Sequence, residues 1–138
     1  MFNMNYKLHH IGIATKCMEQ TILMLRLFGY SEGDIAFDEA QNVNVCFLTH
    51  EANPMIELIG EADDKSPIKN LLKKNGTCIY HVCFEVEDMD SAINKMRKDG
   101  YIPTCSKRQS LIDGKEVIFF YHPDSCLIEL LDGGCHEA

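Results

Sequence analysis

The sequence has no long apolar run, no CxxC pair and no excess of basic residues. None of its hydrophobic segments approaches the length of a membrane-spanning helix, and its first residues lack the apolar centre of a secretory signal. It has 13 basic against 21 acidic residues, a net charge of −8, so a duplex phosphate backbone would repel the protein. We therefore expect neither a membrane nor a nucleic acid as partner.

The seven cysteines are irregularly spaced. An odd number without CxxC pairs indicates neither a disulfide framework nor a zinc knuckle. Free thiols are typical of a reducing compartment, and we expect a cytoplasmic protein. The chain has 138 residues, of which 46% are hydrophobic and 25% charged, which is the size and balance of a single globular domain spanning residues 1–138.

The chain contains an internal repeat. Residues 10–30 match residues 81–101 at an offset of 71, and residues 45–59 match residues 117–131 at an offset of 72, both without gaps and in the same order. The identical pairs are His10/His81, Met18/Met89, Ile22/Ile93, Arg26/Arg97, Gly29/Gly100 and Tyr30/Tyr101 in the first block, and Val45/Val117, Phe47/Phe119, His50/His122, Ile56/Ile128, Glu57/Glu129 and Leu58/Leu130 in the second. We interpret this pattern as a duplicated module of about 60 residues.

Each copy predicts the same order of elements, β-α-β-β-β. An alternating strand is followed by a helix, whose apolar residues in the first copy, Met18, Ile22 and Leu25, follow helical spacing. Gly29 and Gly100 stand where a left-handed residue ends a helix. A strand near residues 35–37, with its counterpart near residues 102–104, and two further strands complete each module.

The predicted modules cover about residues 8–60 and about residues 79–132. A connector helix, about residues 66–75, is predicted between them, with Ser66 as its N-cap and Pro67 at its first position.

Glutamates interrupt two otherwise apolar strands. Glu129 stands within Leu127–Leu131, and Glu57 stands at the matching place within Met55–Ile59. Both faces of such a strand are expected to be covered. An ionised carboxylate there costs on the order of several kcal/mol unless it is paired or bound to a metal. The repeat nevertheless keeps this residue in both copies.

Two strand histidines are duplicated in the same way. His10 shares a strand face with Gly12 and Ala14, whose small side chains leave room for a ligand. A lone strand histidine or a lone buried glutamate is usually a satisfied structural residue, but the duplication of both favours a metal site. Such a set favours Ni²⁺, Co²⁺, Zn²⁺ or Mn²⁺ over a thiolate-loving ion. The predicted ligands of one divalent ion are His10, Glu57, His81 and Glu129.

Four segments of the chain resemble the vicinal oxygen chelate superfamily, which includes glyoxalase I, methylmalonyl-CoA epimerases, extradiol dioxygenases and bleomycin-resistance proteins. These segments are His9–Ala14, Ser66–Ile68, Tyr80–Val86 and Leu127–Leu130. The resemblance covers about residues 8–132 and implies an α+β fold, in which two tandem βαβββ modules form an incomplete barrel around a metal site. It also implies the same four ligands and a homodimer.

The main functional expectation is a metal-dependent isomerase or lyase similar to glyoxalase I, acting on a small-molecule hemithioacetal. In the isomerases of this family the metal binds two adjacent substrate oxygens and stabilises an enediolate, while a carboxylate moves the proton. Two alternatives stay open: an epimerase of the methylmalonyl-CoA type, acting on an acyl thioester, and a non-catalytic protein that binds small molecules. Extradiol dioxygenase chemistry is disfavoured, because those sites use two histidines and one carboxylate.

The expected proton carrier is Glu129, because its strand is the more apolar of the two, with Glu57 as its pseudo-symmetric partner. The resemblance places the base of the epimerases three residues before the valine that matches Val43. That position is Ala40 here, with Glu39 beside it. In glyoxalase I a ligating glutamate itself serves as base, so Ala40 favours that interpretation. The first helix, however, lacks the aromatic pair of the larger glyoxalases.

Three other features have weaker signals. His50 and His122 match in the repeat but stand at turns, where we expect a structural role. His9, one residue before a predicted ligand, is also expected to be structural. Lys107–Arg108 could meet an acidic group of a substrate, although exposed basic pairs are usually solvated.

Overall fold

The structure, a computed structural model, describes residues 6–134. Residues 1–5, on which the expectation about a signal segment rests, and Cys135 lie outside the described residues. The chain divides into two compact units. The first unit is His10–Tyr80, and the second unit is the described part of Met1–His9 together with that of His81–Ala138.

The first unit is built on a four-stranded mixed sheet. Its elements are β1 (Tyr6–Ala14, from His10 onward in this unit), α1 (Met18–Leu27), β2 (Ser31–Asp38), β3 (Val43–Thr49), β4 (Met55–Glu61) and α2 (Lys69–Asn75). The strand order is β2-β3-β4-β1. The first and last strands of the module, β1 and β4, run parallel to each other, whereas the other neighbours are antiparallel.

Helices cover both faces of this sheet. On one face, Ile22 and Leu25 of α1 pack in a cluster with Leu48 of β3. On the other face, Leu72 of α2 packs in a cluster with Ile59 of β4. The central strand β4 is therefore covered on both sides, which is the environment that its nearly continuous apolar sequence predicted.

The second unit repeats the arrangement. Its elements are β5 (Cys78–Val86), α3 (Met89–Lys98), β6 (Ile102–Pro103), β7 (Arg108–Gln109), β8 (Glu116–Tyr121) and β9 (Leu127–Asp132). The strand order is β5-β9-β8-β6, and β7 also pairs with β8. Strands β5 and β9 run parallel. Met89 and Ala92 of α3 pack in a cluster with Phe120 and Leu130 on one face of this sheet.

The two modules differ most in the strand that follows the helix. In the first unit this strand is β2, which has eight residues and pairs with β3 along most of its length. In the second unit its place is taken by β6 and β7, of two residues each. The sequence predicted only short strands at both places, because the first half of β2 is polar and exposed and gives no alternating pattern.

The predicted ends of the first helices are confirmed, whereas the predicted start of the connector helix is wrong. Gly29 and Gly100 follow α1 and α3 with a φ of +91° each. The N-cap of α2 is Ile68, not Ser66. The Ser66 hydroxyl instead donates to the carbonyl of Asn42 and accepts from the N–H of Ala62.

The predicted α+β fold with two βαβββ modules is confirmed. Among residues 6–134, no helix combines the length and the apolar character that a membrane crossing requires.

Candidate metal centre

His10 and Glu57 form a buried pair in the first unit. Strands β1 and β4 lie side by side with Gly12 opposite Glu57, and Nε2 of His10 lies 3.2 Å from Oε1 of Glu57. The exposed fraction is 0% for His10 and 8% for Glu57. Phe47, the neighbour of Glu57 on β3, presents its ring edge-on to the imidazole, with 6.2 Å between the ring centres.

His81 and Glu129 form the matching pair in the second unit. Cys83 stands opposite Glu129 in the parallel ladder of β5 and β9, and Nε2 of His81 lies 3.1 Å from Oε1 of Glu129. Only 2% of His81 and 4% of Glu129 are exposed. The ring of Phe119 on β8 meets the imidazole edge-on, with 5.3 Å between the ring centres and 90° between the ring planes.

The duplication thus preserves a complete geometric unit and not only two residue types. In both units a histidine of the first strand and a glutamate of the last strand meet because these strands pair in parallel. A phenylalanine of the strand beside the glutamate packs against the histidine in both cases. Sequence comparison of the copies had matched Phe47 with Phe119 but had given this pair no role.

The donor atoms fit a divalent ion. Each pair offers one imidazole nitrogen and one carboxylate oxygen, and these donor types suit Zn²⁺, Ni²⁺, Co²⁺ or Mn²⁺. A buried carboxylate beside an imidazole is costly without a compensating charge.

Glu39, His50 and His122 lie outside the strands that carry these pairs. Glu39 is exposed in the turn between β2 and β3, with Ala40 beside it. His50 and His122 lie in the turns that precede β4 and β9. His9 is only half-buried, in contrast to its neighbour His10.

Lys107 and Arg108 contact different residues in the structure. Lys107 is exposed, and its Nζ lies 3.5 Å from Oδ1 of Asp90. The Arg108 guanidinium carbon instead lies 5.5 Å from the centre of the Phe119 ring. Sequence reasoning had treated both as one surface feature, because the two-residue strand β7 that orients Arg108 leaves no pattern in the sequence.

Two βαβββ modules, each with a buried His–Glu pair joined by its first and last strands, define the class to which this protein belongs. The sequence matches the Glyoxalase/Bleomycin resistance protein/Dioxygenase superfamily over residues 9–119. The chain belongs to this superfamily, as its resemblance to the vicinal oxygen chelate proteins indicated.

Several relatives of the chain are epimerases. The chain is 33% identical over 129 residues to the mitochondrial methylmalonyl-CoA epimerase of Dictyostelium discoideum, covering 90% of this chain and 76% of that protein. It is 32% identical over 129 residues to the ethylmalonyl-CoA/methylmalonyl-CoA epimerase of Cereibacter sphaeroides, covering 90% and 96%. A solved variant of the Streptomyces coelicolor methylmalonyl-CoA epimerase, in complex with 2-nitronate-propionyl-CoA, has the same fold, with a TM-score of 0.78 at 23% identity, covering 94% of this chain and 98% of that one.

The expected glyoxalase I-like lyase acting on a hemithioacetal is therefore wrong. The relatives are methylmalonyl-CoA epimerases, which was the alternative. The motifs could not separate the two activities, because both use a metal that acidifies a C–H bond next to a carbonyl group. The ligand motifs identify that chemistry and carry no information on the rest of the substrate.

Proposed function

We propose that the protein is an epimerase that inverts the α-carbon of an acyl-CoA thioester of the methylmalonyl-CoA type. The observation that carries this proposal is the identity of 33% and 32% with two epimerases. The Cereibacter sphaeroides enzyme is matched over 96% of its length, so the relationship includes the whole of that protein. The ligand in the Streptomyces coelicolor complex supports an acyl-CoA as the class of small-molecule substrate.

In this proposal the two units act as one domain, and their His–Glu pairs bind one divalent ion. The ligands are His10, Glu57, His81 and Glu129. Three facts support this assignment: the burial of all four residues, the contact within each pair, and the superfamily membership. When bound, the ion acts as a Lewis acid on the thioester carbonyl and makes the neighbouring C–H bond more acidic.

Carboxylates of the chain carry the proton. We assign the removal of the α-proton to Glu129, which lies in the more apolar of the two matching strands. Inversion requires the proton to return on the opposite face of the α-carbon, so a second group is needed. The chain offers two groups for this step: Glu57, the counterpart of Glu129 in the repeat, and Glu39, next to Ala40 at the position of the family's base.

Deuterium exchange tests the proposed activity. The metal-loaded protein is incubated in D₂O with a single epimer of methylmalonyl-CoA, and NMR follows the α-carbon. We expect deuterium to enter at this carbon while the other epimer accumulates. Elemental analysis should find about one divalent ion per chain. A protein that holds its ion and yet produces neither signal would contradict the proposal.

Glutamate-to-glutamine variants assign the roles. Glu129→Gln should keep a metal, because an amide oxygen still ligates, and should lower α-proton exchange by about 10²–10⁴-fold. Glu57→Gln and Glu39→Gln identify the second group, since only its loss should block inversion. Glu116→Gln, an exposed change at the start of β8, is the matched control and should leave exchange unchanged. If Glu129→Gln loses only metal, Glu129 is a ligand and not the base.

A further inference from the structure

Arg108 and Phe119 lie on the same face of the second unit's sheet as Glu129. Arg108 pairs with Val117 across the ladder of β7 and β8, and Phe119 is two residues further along β8, so its side chain points to the same side. Phe119 in turn pairs with Glu129. Helix α3 packs on the opposite face, against Ile118, Phe120 and Leu130.

The Arg108 guanidinium is held against an aromatic ring that itself contacts a predicted metal ligand. Its carbon lies 5.5 Å from the centre of the Phe119 ring, within the range of a cation–π contact. The same ring forms a T-shaped contact with the imidazole of His81. A planar guanidinium fixed on a ring loses little further freedom when it binds a carboxylate.

No acid of the described chain neutralises this arginine. Lys107 contacts Asp90, and Lys115 contacts Glu85 at 3.6 Å. The side chain of Arg108, although the residue is half-buried, makes no hydrogen bond or ion pair with any residue in the described range 6–134. An arginine has five N–H donors, so all of these donors are available to an anion from outside the protein.

We propose that Arg108 is the binding site for the free carboxylate of the acyl group. The inference rests on the proposed function and adds to it the residue that recognises a dicarboxylic acyl thioester. Arginine binds a carboxylate through two parallel hydrogen bonds. Phe119 contacts both the Arg108 guanidinium and the His81 ring, so this cation lies one ring away from the His81–Glu129 pair, which in the proposed function meets the acyl end of the substrate.

Binding of two thioesters that differ only in the carboxylate tests this assignment. Titration calorimetry compares malonyl-CoA with propionyl-CoA on wild-type protein and on Arg108→Gln. We expect the variant to bind malonyl-CoA about 10- to 100-fold more weakly, as for a lost hydrogen bond to a charged group, and to bind propionyl-CoA as wild type does. Arg108→Lys should restore part of the affinity, because it keeps the charge and loses the planar fork.

The outcomes separate the subsite from the function. Lys107→Gln removes the same charge one residue away and should change neither affinity. An equal loss for both thioesters in Arg108→Gln would assign the residue to a phosphate of coenzyme A and overturn the carboxylate subsite. Unchanged binding of both would overturn it as well. Either result leaves the epimerase proposal standing if wild type exchanges the α-proton, and a wild type that binds neither thioester would refute both.

Discussion

His50 joins the end of α1 to the turn between β3 and β4. Its Nδ1 accepts hydrogen bonds from the N–H groups of Ala52 and Asn53, at 3.0 and 3.2 Å. The ring proton is therefore on Nε2, which donates to the carbonyl oxygen of Phe28 at 3.1 Å. These hydrogen bonds are of the kind that the predicted structural role of this duplicated histidine requires.

Replacing His50 with alanine should destabilise the protein. The variant loses these hydrogen bonds and the contact with Tyr30, whose ring centre lies 4.9 Å away, so we expect about 1–2 kcal/mol less stability in urea unfolding. His122→Ala is the matched comparison and should cost less, because the His122 imidazole accepts only the N–H of Asp124, at 3.0 Å, in the described part of the chain. Equal losses would show that the bond to Phe28 contributes nothing.

The candidate ligands were predictable because each of them recurs at the matching position of the repeat. His10 and Glu57 could each be explained as ordinary structural residues, and only the recurrence of the pair identified them as candidate ligands. Arg108 had no such support, because its counterpart strand in the first module has a different length. Its orientation follows from β7, which is only two residues long, and short strands leave no periodicity.

The two module helices begin differently. Asp88 caps α3: its carboxylate accepts the N–H of Ser91 at 3.1 Å and the hydroxyl of Ser91 at 2.8 Å. The matching residue before α1 is Cys17, whose side chain makes no capping hydrogen bond. The hydrogen bonds from Ser91, first from its backbone N–H, hold the pKa of Asp88 below its ordinary value. The cap is therefore an anion throughout the neutral range.

Removing the Asp88 cap should give a pH-dependent loss of stability. A pKa that is lower in the folded than in the unfolded chain stabilises the fold above the unfolded value, and this contribution is lost as the pH falls through the folded value. Asp88→Ala should therefore lower the melting temperature at pH 7, and the difference from wild type should narrow in acid, below the ordinary pKa of an aspartate. A difference that stays constant from pH 7 to strong acid would contradict this account.

Adding the missing cap to α1 should have the opposite effect. Cys17 is exposed and extended, with φ −139° and ψ 100°, which is the conformation that an N-cap adopts. Cys17→Asp should therefore stabilise the protein by about 0.5–1 kcal/mol, measured by urea unfolding. Cys17→Ala is the control and should have no such effect. No gain over Cys17→Ala would mean that the start of α1 cannot reorganise around a carboxylate.

Elements with strong local signals were predicted, and elements defined by tertiary pairing were not. The ends of α1 and α3 were predictable because Gly29 and Gly100, just beyond them, have the positive φ that glycine adopts most easily. Strand β2 was longer than predicted because its pairing with β3, and not an apolar pattern, extends it from Ser31 to Asp38. Ser66 fits the sequence pattern of a helix cap. The same hydroxyl can equally bond a neighbouring loop, and here it donates to the carbonyl of Asn42.

At the scale of the whole molecule, the proposed metal site predicts that stability depends on the ion. If one ion is bound by both His–Glu pairs, chelation leaves two buried carboxylates uncompensated. We expect a chelator to lower the melting temperature, because an ion present at a thousand times its dissociation constant adds about 4 kcal/mol. Differential scanning calorimetry with and without EDTA measures the shift.

A neutral variant provides the control for this experiment. Glu129→Gln keeps the shape of the side chain and removes one charge, so its melting temperature should fall less on chelation than that of wild type. Identical melting of wild type with and without EDTA would mean that protein partners alone compensate the carboxylates.

The activity was less predictable than the fold. The repeat specified the module order and the candidate ligands, and these determine what kind of bond is activated. The choice between a hemithioacetal and an acyl-CoA thioester depends on residues that meet the rest of the substrate, and these lie outside the motifs. The relatives at 33% and 32% identity match 129 residues of the chain, which extend well beyond the motifs, and these relatives are epimerases.

The parallel pairing of the first and last strands has a consequence for the order of folding. His10 pairs with Met55 and His81 with Leu127, so each His–Glu pair forms only after a loop of about 45 residues has closed. The hairpins β3–β4 and β8–β9 close far shorter loops and should form first. Leu48→Ala, in a hairpin, should mainly slow folding, whereas Ile13→Ala, on β1, should mainly accelerate unfolding. The His–Glu pairs would then form last, when β1 and β5 add to hairpins that have already formed.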